Sequence, residues 1–147
     1  MGTRSAIGYK TGEGKIRAVY CHWDGYVSHN GRILQDHYQA AYKIARLIEQ
    51  GDMSSLNEEP MPDPSKPHTF NQPQEGVVVY YGRDRGETGC ETKEFDNFDE
   101  FETEMSHMGC EYFYVFNGQE WIVSTGTGVF DRVDDLLVYE AMEGAVA

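Results

Sequence analysis

The chain has 147 residues, with 25 Asp and Glu against 12 Lys and Arg, a formal net charge of −13. A duplex-binding protein presents a basic face, so this balance argues against direct nucleic-acid binding. No apolar run approaches the ~20 residues that cross a bilayer, which argues against a membrane span. Hydrophobic residues are 39% of the chain but aromatics reach 13%, and aromatics bury large areas each, so one domain can build its core from them. Cys21, Cys90 and Cys110 form no CxxC pair, so neither a zinc knuckle nor a thioredoxin-like motif is present. They fit a reducing compartment. Residues 1–9 lack the apolar centre of a signal peptide, and the expectation is a cytoplasmic protein.

In chain order, residues 3–9 and 15–20 read as two strands joined through Thr11-Gly12-Glu13-Gly14. Ile16, Ala18 and Tyr20 then face one way and Arg17 and Val19 the other. Residues 31–50 show helical spacing through Leu34, Tyr38, Ala41, Ala45 and Ile48, with Asn30 as N-cap and Gly51 as the residue after the end. A short turn is expected at 52–56. Residues 57–75 hold all five prolines, with His68 and Phe70 as the notable side chains. This is a surface loop, either an insertion or a lid.

Residues 77–81, Val-Val-Val-Tyr-Tyr, read as a central strand apolar on both faces. A strand at 91–95 and a short helix at 96–105 follow, with Phe98, Phe101 and Met105 inward and Asn97 or Asp96 as cap. Residues 112–116 and 120–124 flank Asn117-Gly118, a strong hairpin signal. A last helix spans about 133–142. Together these predict a single α+β domain, an antiparallel or mixed sheet of about five to seven strands covered by two or three helices.

Two segments carry candidate chemistry. In the first, His22 and Asp24 lie two residues apart, on one face of an extended strand. A carboxylate can orient an imidazole as general base, so the two are candidate catalytic residues. The alternative is that both satisfy backbone groups in a turn. Cys21 faces the core, away from them. Trp23 stands beside a strand end, where an aromatic ordinarily packs, or else serves as a contact together with Tyr26 and His29. His22, Asp24, His29, His37 and His68 include metal-ligand types, but their spacing matches no zinc signature, and no metal or cofactor is assigned.

The second segment runs from Gly82 through Arg83, Asp84, Arg85 and Glu87 to Gly89. Arginine forks bind phosphate or carboxylate, and glycines let backbone approach a ligand. Either these arginines accept an anion such as a nucleotide, or they pair with Asp84 and Glu87. The two segments meet if both leave the same edge of the sheet. Residues 91–104, with seven acids and one lysine, are either a nucleic-acid mimic or the solvated side of a helix.

Three blocks, Thr3-Arg4-Ser5-Ala6-Ile7-Gly8, Tyr20-Cys21-His22-Trp23-Asp24-Gly25-Tyr26 and Tyr81-Gly82-Arg83-Asp84-Arg85-Gly86-Glu87-Thr88, resemble a family of small, uncharacterised tailed-bacteriophage proteins. Gly51-Asp52-Met53-Ser54-Ser55-Leu56 is also similar to it. The chain departs from the family at residues 27–30, where a proline- and glycine-bearing loop is more typical. The resemblance implies expression in the cytoplasm of an infected bacterium and an accessory role in host takeover or anti-defence. The expectation is a binding protein for a host protein or an anionic, nucleotide-like molecule. Its recognition residues would be Trp23, Tyr26, His29, Arg83, Asp84, Arg85 and Glu87. The alternatives are a small hydrolase or lyase acting on a phosphorylated substrate with His22 as base, and an acidic nucleic-acid mimic.

Overall fold

The Ser5–Cys21 hairpin is the middle of the molecule. In the computed structural model, which describes residues 2–146 and the side chains of 2–143, β1 (Ser5–Lys10) pairs antiparallel with β2 (Ile16–Cys21). The π-helical turn Val27–Gly31, α1 (Arg32–His37), α2 (Ala41–Ile48) and β3 (Met53–Ser55) follow. Then come β4 (Val79–Tyr80), α3 (Tyr81–Arg85), β5 (Lys93–Phe95) and α4 (Phe98–Ser106). The chain ends with β6 (Tyr112–Phe116), β7 (Trp121–Ser124), β8 (Asp131–Arg132) and α5 (Val133–Val146). The strands form one mixed sheet in the order β4-β3-β2-β1-β6-β7-β8, with β5 beside the start of β2. The β1–β6 and β2–β3 pairs are parallel. Among the described residues no helix is long and apolar enough to cross a membrane.

Strand alternation divides the interior into two cores. Ile7, Val19 and Cys21 point to one face, where Leu34, Tyr38, Ile44, Leu47 and Leu137 cover them from α1, the α1–α2 link, α2 and α5. Ala6, Ile16, Ala18 and Phe113 point to the other, covered by Phe101 and Met105 of α4. The expected inward face of α4 is therefore the observed one, and Asn97 caps it by accepting from the Glu100 N–H at 2.8 Å.

Four expectations are corrected. The helix predicted over 31–50 is two helices, because Tyr38 leaves helical geometry (φ −126°, ψ 73°). Its carbonyl accepts the Trp121 indole N–H at 2.7 Å, and its hydroxyl donates to the Asn57 carbonyl at 2.7 Å. Asn30 caps nothing with its side chain; it is fully buried beside Ser5 and Cys21. Residues 53–55 are a strand rather than a turn, since Met53 pairs with both Cys21 and Tyr80. The strand expected at 77–81 is β4 alone and lies at the sheet edge, where the chain from 57 to 78 supplies the cover a central position would have given. Broken helices and the short α3 and β8 raise the count, among the described residues, to eight strands and five α-helices.

Residues 57–77 form a packed Ω-loop with its ends together: the Asn57 amide donates to the Val77 carbonyl at 3.3 Å, and the Glu59 N–H to the Gly76 carbonyl at 3.0 Å. The Gln74 side chain ties its middle, donating to the Asp63 and Lys66 carbonyls and accepting from the Asp63 N–H. The segment is thus tied both at its ends and across its middle.

Candidate functional site

β2 ends at Cys21, and the next residues are held almost entirely through their backbone. The His22 and Trp23 N–H groups donate to the Met53 and Ser54 carbonyls at 3.2 and 3.1 Å. The Gly25 N–H donates to the Thr3 carbonyl at 2.8 Å, and its carbonyl accepts the buried Tyr114 hydroxyl at 2.6 Å. A Cβ at Gly25 would press on Ser5 and the Thr3 carbonyl, so glycine is required for this close approach. From below, the Asn30 amide donates to the Trp23 carbonyl at 3.2 Å. The frame is rigid, and its side chains are left outside.

Trp23 is 43% exposed and Tyr26 39% exposed. Trp23 is therefore not a core residue. The His22 ring meets it edge-on, with centroids 4.6 Å apart, and fixes its plane. Asp24 holds a left-handed φ of +57°, the one non-glycine positive φ among the described residues, a conformation maintained only where surroundings over-determine it. Its carboxylate accepts the Tyr26 hydroxyl at 3.2 Å and lies 4.0 Å from His29 Nε2. The His29 Nδ1 lies 3.0 Å from Asn30 Oδ1, and because the Asn30 amide nitrogen is the donor elsewhere, His29 carries its proton on Nδ1. A π-helical turn places His29 here, and such turns occur disproportionately at functional sites.

The catalytic pair expected from His22 and Asp24 does not form. His22 Nδ1 lies 2.7 Å from the Tyr20 hydroxyl, whose pKa is pushed up to about 12, chiefly by burial, so the hydroxyl stays protonated and donates. The His22 proton then sits on Nε2. Burial first, and the Arg4 charge second, lower the His22 pKa and keep the ring neutral at pH 7. Its basic nitrogen is thus occupied and its free one is a donor, the wrong arrangement for a general base. Cys21 is no nucleophile either, since burial pushes its thiol up to about 12. Among the described residues no three His, Cys, Asp or Glu side chains converge as a metal ion would need.

The Arg83 segment is a short helix, not an open loop, and Arg83 faces inward. Its Nε donates to Asp84 Oδ1 at 2.7 Å. One terminal nitrogen donates to the Pro60 carbonyl (2.6 Å) and Gln50 Oε1 (3.2 Å), the other to the Val78 carbonyl (2.7 Å) and Asp84 Oδ2 (3.0 Å). All five guanidinium N–H groups have acceptors within the chain, so none remains for an anion. Asp84 and His68 are almost fully buried. His68 Nδ1 accepts the Gln74 N–H at 3.0 Å, which leaves its proton on Nε2, 3.2 Å from Asp84. Burial works to raise the Asp84 pKa, but hydrogen bonds from Arg83, the Tyr80 N–H and His68 outweigh it and hold the carboxyl below its ordinary value. Arg85 stacks on Phe70, 4.3 Å from the ring centroid, and pairs with Glu87. The segment clasps the Ω-loop to β4.

The two segments leave opposite sides of β3. β2 runs parallel to β3 while β4 runs antiparallel to it. Trp23 leaves beside Ser54, whereas α3 begins beside Asp52, where the Tyr81 N–H donates at 3.2 Å. The acidic stretch is likewise engaged internally in part. Glu102 accepts the Ser124 hydroxyl and the Gly128 N–H, and Glu94 and Asp96 lie by Lys15.

The molecule is thus a mixed-sheet α+β domain with an outward aromatic turn at one strand end. Comparison with known proteins adds no relative: no family model matches the chain, and no curated protein or solved structure matches it at a significant level.

Proposed function

We propose that the chain is a binding protein whose recognition surface is the turn carrying Trp23, Tyr26 and His29. The observation that carries this is the exposure of two large aromatics on a backbone bonded at Met53, Ser54, Thr3 and Tyr114. Tryptophan and tyrosine dominate binding hot spots, and a preorganised frame loses little entropy on docking. The resemblance to small tailed-phage proteins supports a host protein as the partner and the cytoplasm of an infected bacterium as the place. There the chain acts as an accessory factor in host takeover or anti-defence. Arg83 lacks free donors, and that favours a protein partner over a nucleotide-like anion.

Native mass spectrometry of the tagged protein recovered from its host tests this. The expected result is a stoichiometric host protein that is lost in Trp23→Ala and Tyr26→Ala. A partner retained by both variants would place the surface elsewhere. An added small mass would instead return the anionic-ligand reading.

A second reading has one observation behind it. His29 donates its Nδ1–H to Asn30 and keeps the lone pair of Nε2 free of hydrogen bonds among the described residues, which fits a base role for His29 rather than His22. Turnover of phosphorylated substrates that is abolished in His29→Ala would establish it, and no turnover would dismiss it.

A further inference from the structure

Asp24 and His29 bring two acceptors to one gap. The Asp24 Oδ1 already accepts the Tyr26 hydroxyl at 3.2 Å, and Oδ2 stands 4.0 Å from His29 Nε2. The His29 Nδ1–H is committed to Asn30 Oδ1 at 3.0 Å, so on the neutral ring Nε2 offers a lone pair. Two acceptors gain nothing from each other, whereas a donor between them gains a bond to each. Both residues are also held from behind. The Asn30 N–H donates to the Asp24 carbonyl at 3.3 Å, the His29 N–H to the Tyr26 carbonyl at 3.1 Å, and the Asn30 side chain that orients the imidazole is fully buried. Among the described residues no lysine or arginine pairs with Asp24, while Glu49, Asp84, Glu87 and Glu120 each hold an arginine.

The gap discriminates among donors. A single nitrogen about 2.8 Å from each acceptor, an ordinary charge-assisted length, bridges it with donor directions about 90° apart, close to what a tetrahedral ammonium supplies. A planar guanidinium fork matches the two oxygens of one carboxylate, and here Oδ1 already serves Tyr26. Water fits the gap but carries no charge to meet the carboxylate. Tyr26, 39% exposed and with its ring centroid 6.0 Å from that of His29, adds an aromatic wall of the kind that attracts cations.

We propose that this notch takes the primary ammonium of a lysine side chain on the partner protein, which rests on the Trp23–Tyr26 turn being the recognition surface. The ammonium donates to Asp24 Oδ2 and His29 Nε2 and lies against the Tyr26 ring. The net charge of −13 favours encounter with a basic partner surface, and the notch fixes where one of its lysines lands.

The probe is N-acetyl-lysine N-methylamide, titrated into the full chain at pH 8 and constant ionic strength while amide and imidazole shifts are followed by NMR. So small a ligand is expected to bind with a Kd of about 10–100 mM. The expected result is saturable shifts confined to residues 23–30, weakened about fivefold or more in Asp24→Asn and in His29→Phe, and absent with the norleucine analogue, which lacks the ammonium. Unmoved signals from the rest of the chain show that both variants are folded. No saturable shift, equal shifts with the norleucine analogue, or undiminished affinity in Asp24→Asn would each overturn the proposal. Recovery of the host protein is read separately. A turn that loses its partner in Trp23→Ala yet ignores the lysine probe would keep the recognition surface and overturn only the ammonium notch. A turn that takes the probe while Trp23→Ala and Tyr26→Ala keep the host protein would overturn the partner as the source of the lysine.

Discussion

Trp23 and Arg83 both sit in dense hydrogen-bond networks, but the networks hold different parts of the chain. Around Trp23 it is the backbone that is bound, at His22, Trp23 and Gly25, and the ring is left outward. Around Arg83 it is the side chain that is bound, through all five N–H groups, and it faces the Pro60 carbonyl and buried Asp84. A segment anchored by its backbone can offer its side chains to a partner. One anchored by its side chains gives them to the fold.

The sharpest way to break this contrast is Arg83→Ala. It would leave Asp84 as a buried charge without its cation, so a loss of about 3–5 kcal/mol is expected in urea unfolding. Arg83→Lys should recover little, because an ammonium cannot reach acceptors on four different residues. A loss below about 1 kcal/mol would make Arg83 an ordinary surface arginine.

Trp23→Ala should do the reverse. Partner affinity is expected to fall by about 2 kcal/mol or more, roughly thirtyfold, while unfolding shifts by less than about 1 kcal/mol. A calorimetric titration and an unfolding curve on the same preparation separate the two effects.

Acid sharpens the Arg83 side of the comparison. The folded pKa of Asp84 lies below its unfolded value, so its contribution to stability is full above about pH 4. That contribution is lost as the pH falls through the folded pKa. The unfolding midpoint should therefore drop below about pH 4, with a shallower drop in Asp84→Asn and an unaltered one in Trp23→Ala.

The smallest expected effect belongs to Asp24→Gly. Glycine accepts φ +57° without strain, so stability should hold or rise by up to about 1 kcal/mol. Loss of the carboxylate beside Tyr26 and His29 should still weaken partner binding. A variant that loses stability would show that Asp24 serves the fold and not the surface.

What the sequence could reveal tracks the range of the forces involved. The β1–β2 hairpin, the inward face and Asn97 cap of α4, and the turn after Phe116 rest on alternation, helical spacing and bonds within a few residues. The α+β class followed from them. The break at Tyr38 did not, because it is fixed by an indole 83 positions away that draws out the Tyr38 carbonyl. The same holds for Arg83: its acceptors on Gln50 and Pro60 lie 33 and 23 positions back, so its composition read as a ligand loop.

The sequence alone marked the Trp23 turn as a candidate site by its density of reactive and aromatic side chains, and offered a catalytic His22–Asp24 pair as one of two alternatives. The Tyr20 hydroxyl and the left-handed turn at Asp24 decided otherwise. Local periodicity and turn chemistry act along the chain and are written in it. Which polar group meets which acceptor, and which aromatic remains outside, depends on strands and loops brought together across the sheet, and only the tertiary structure could settle that.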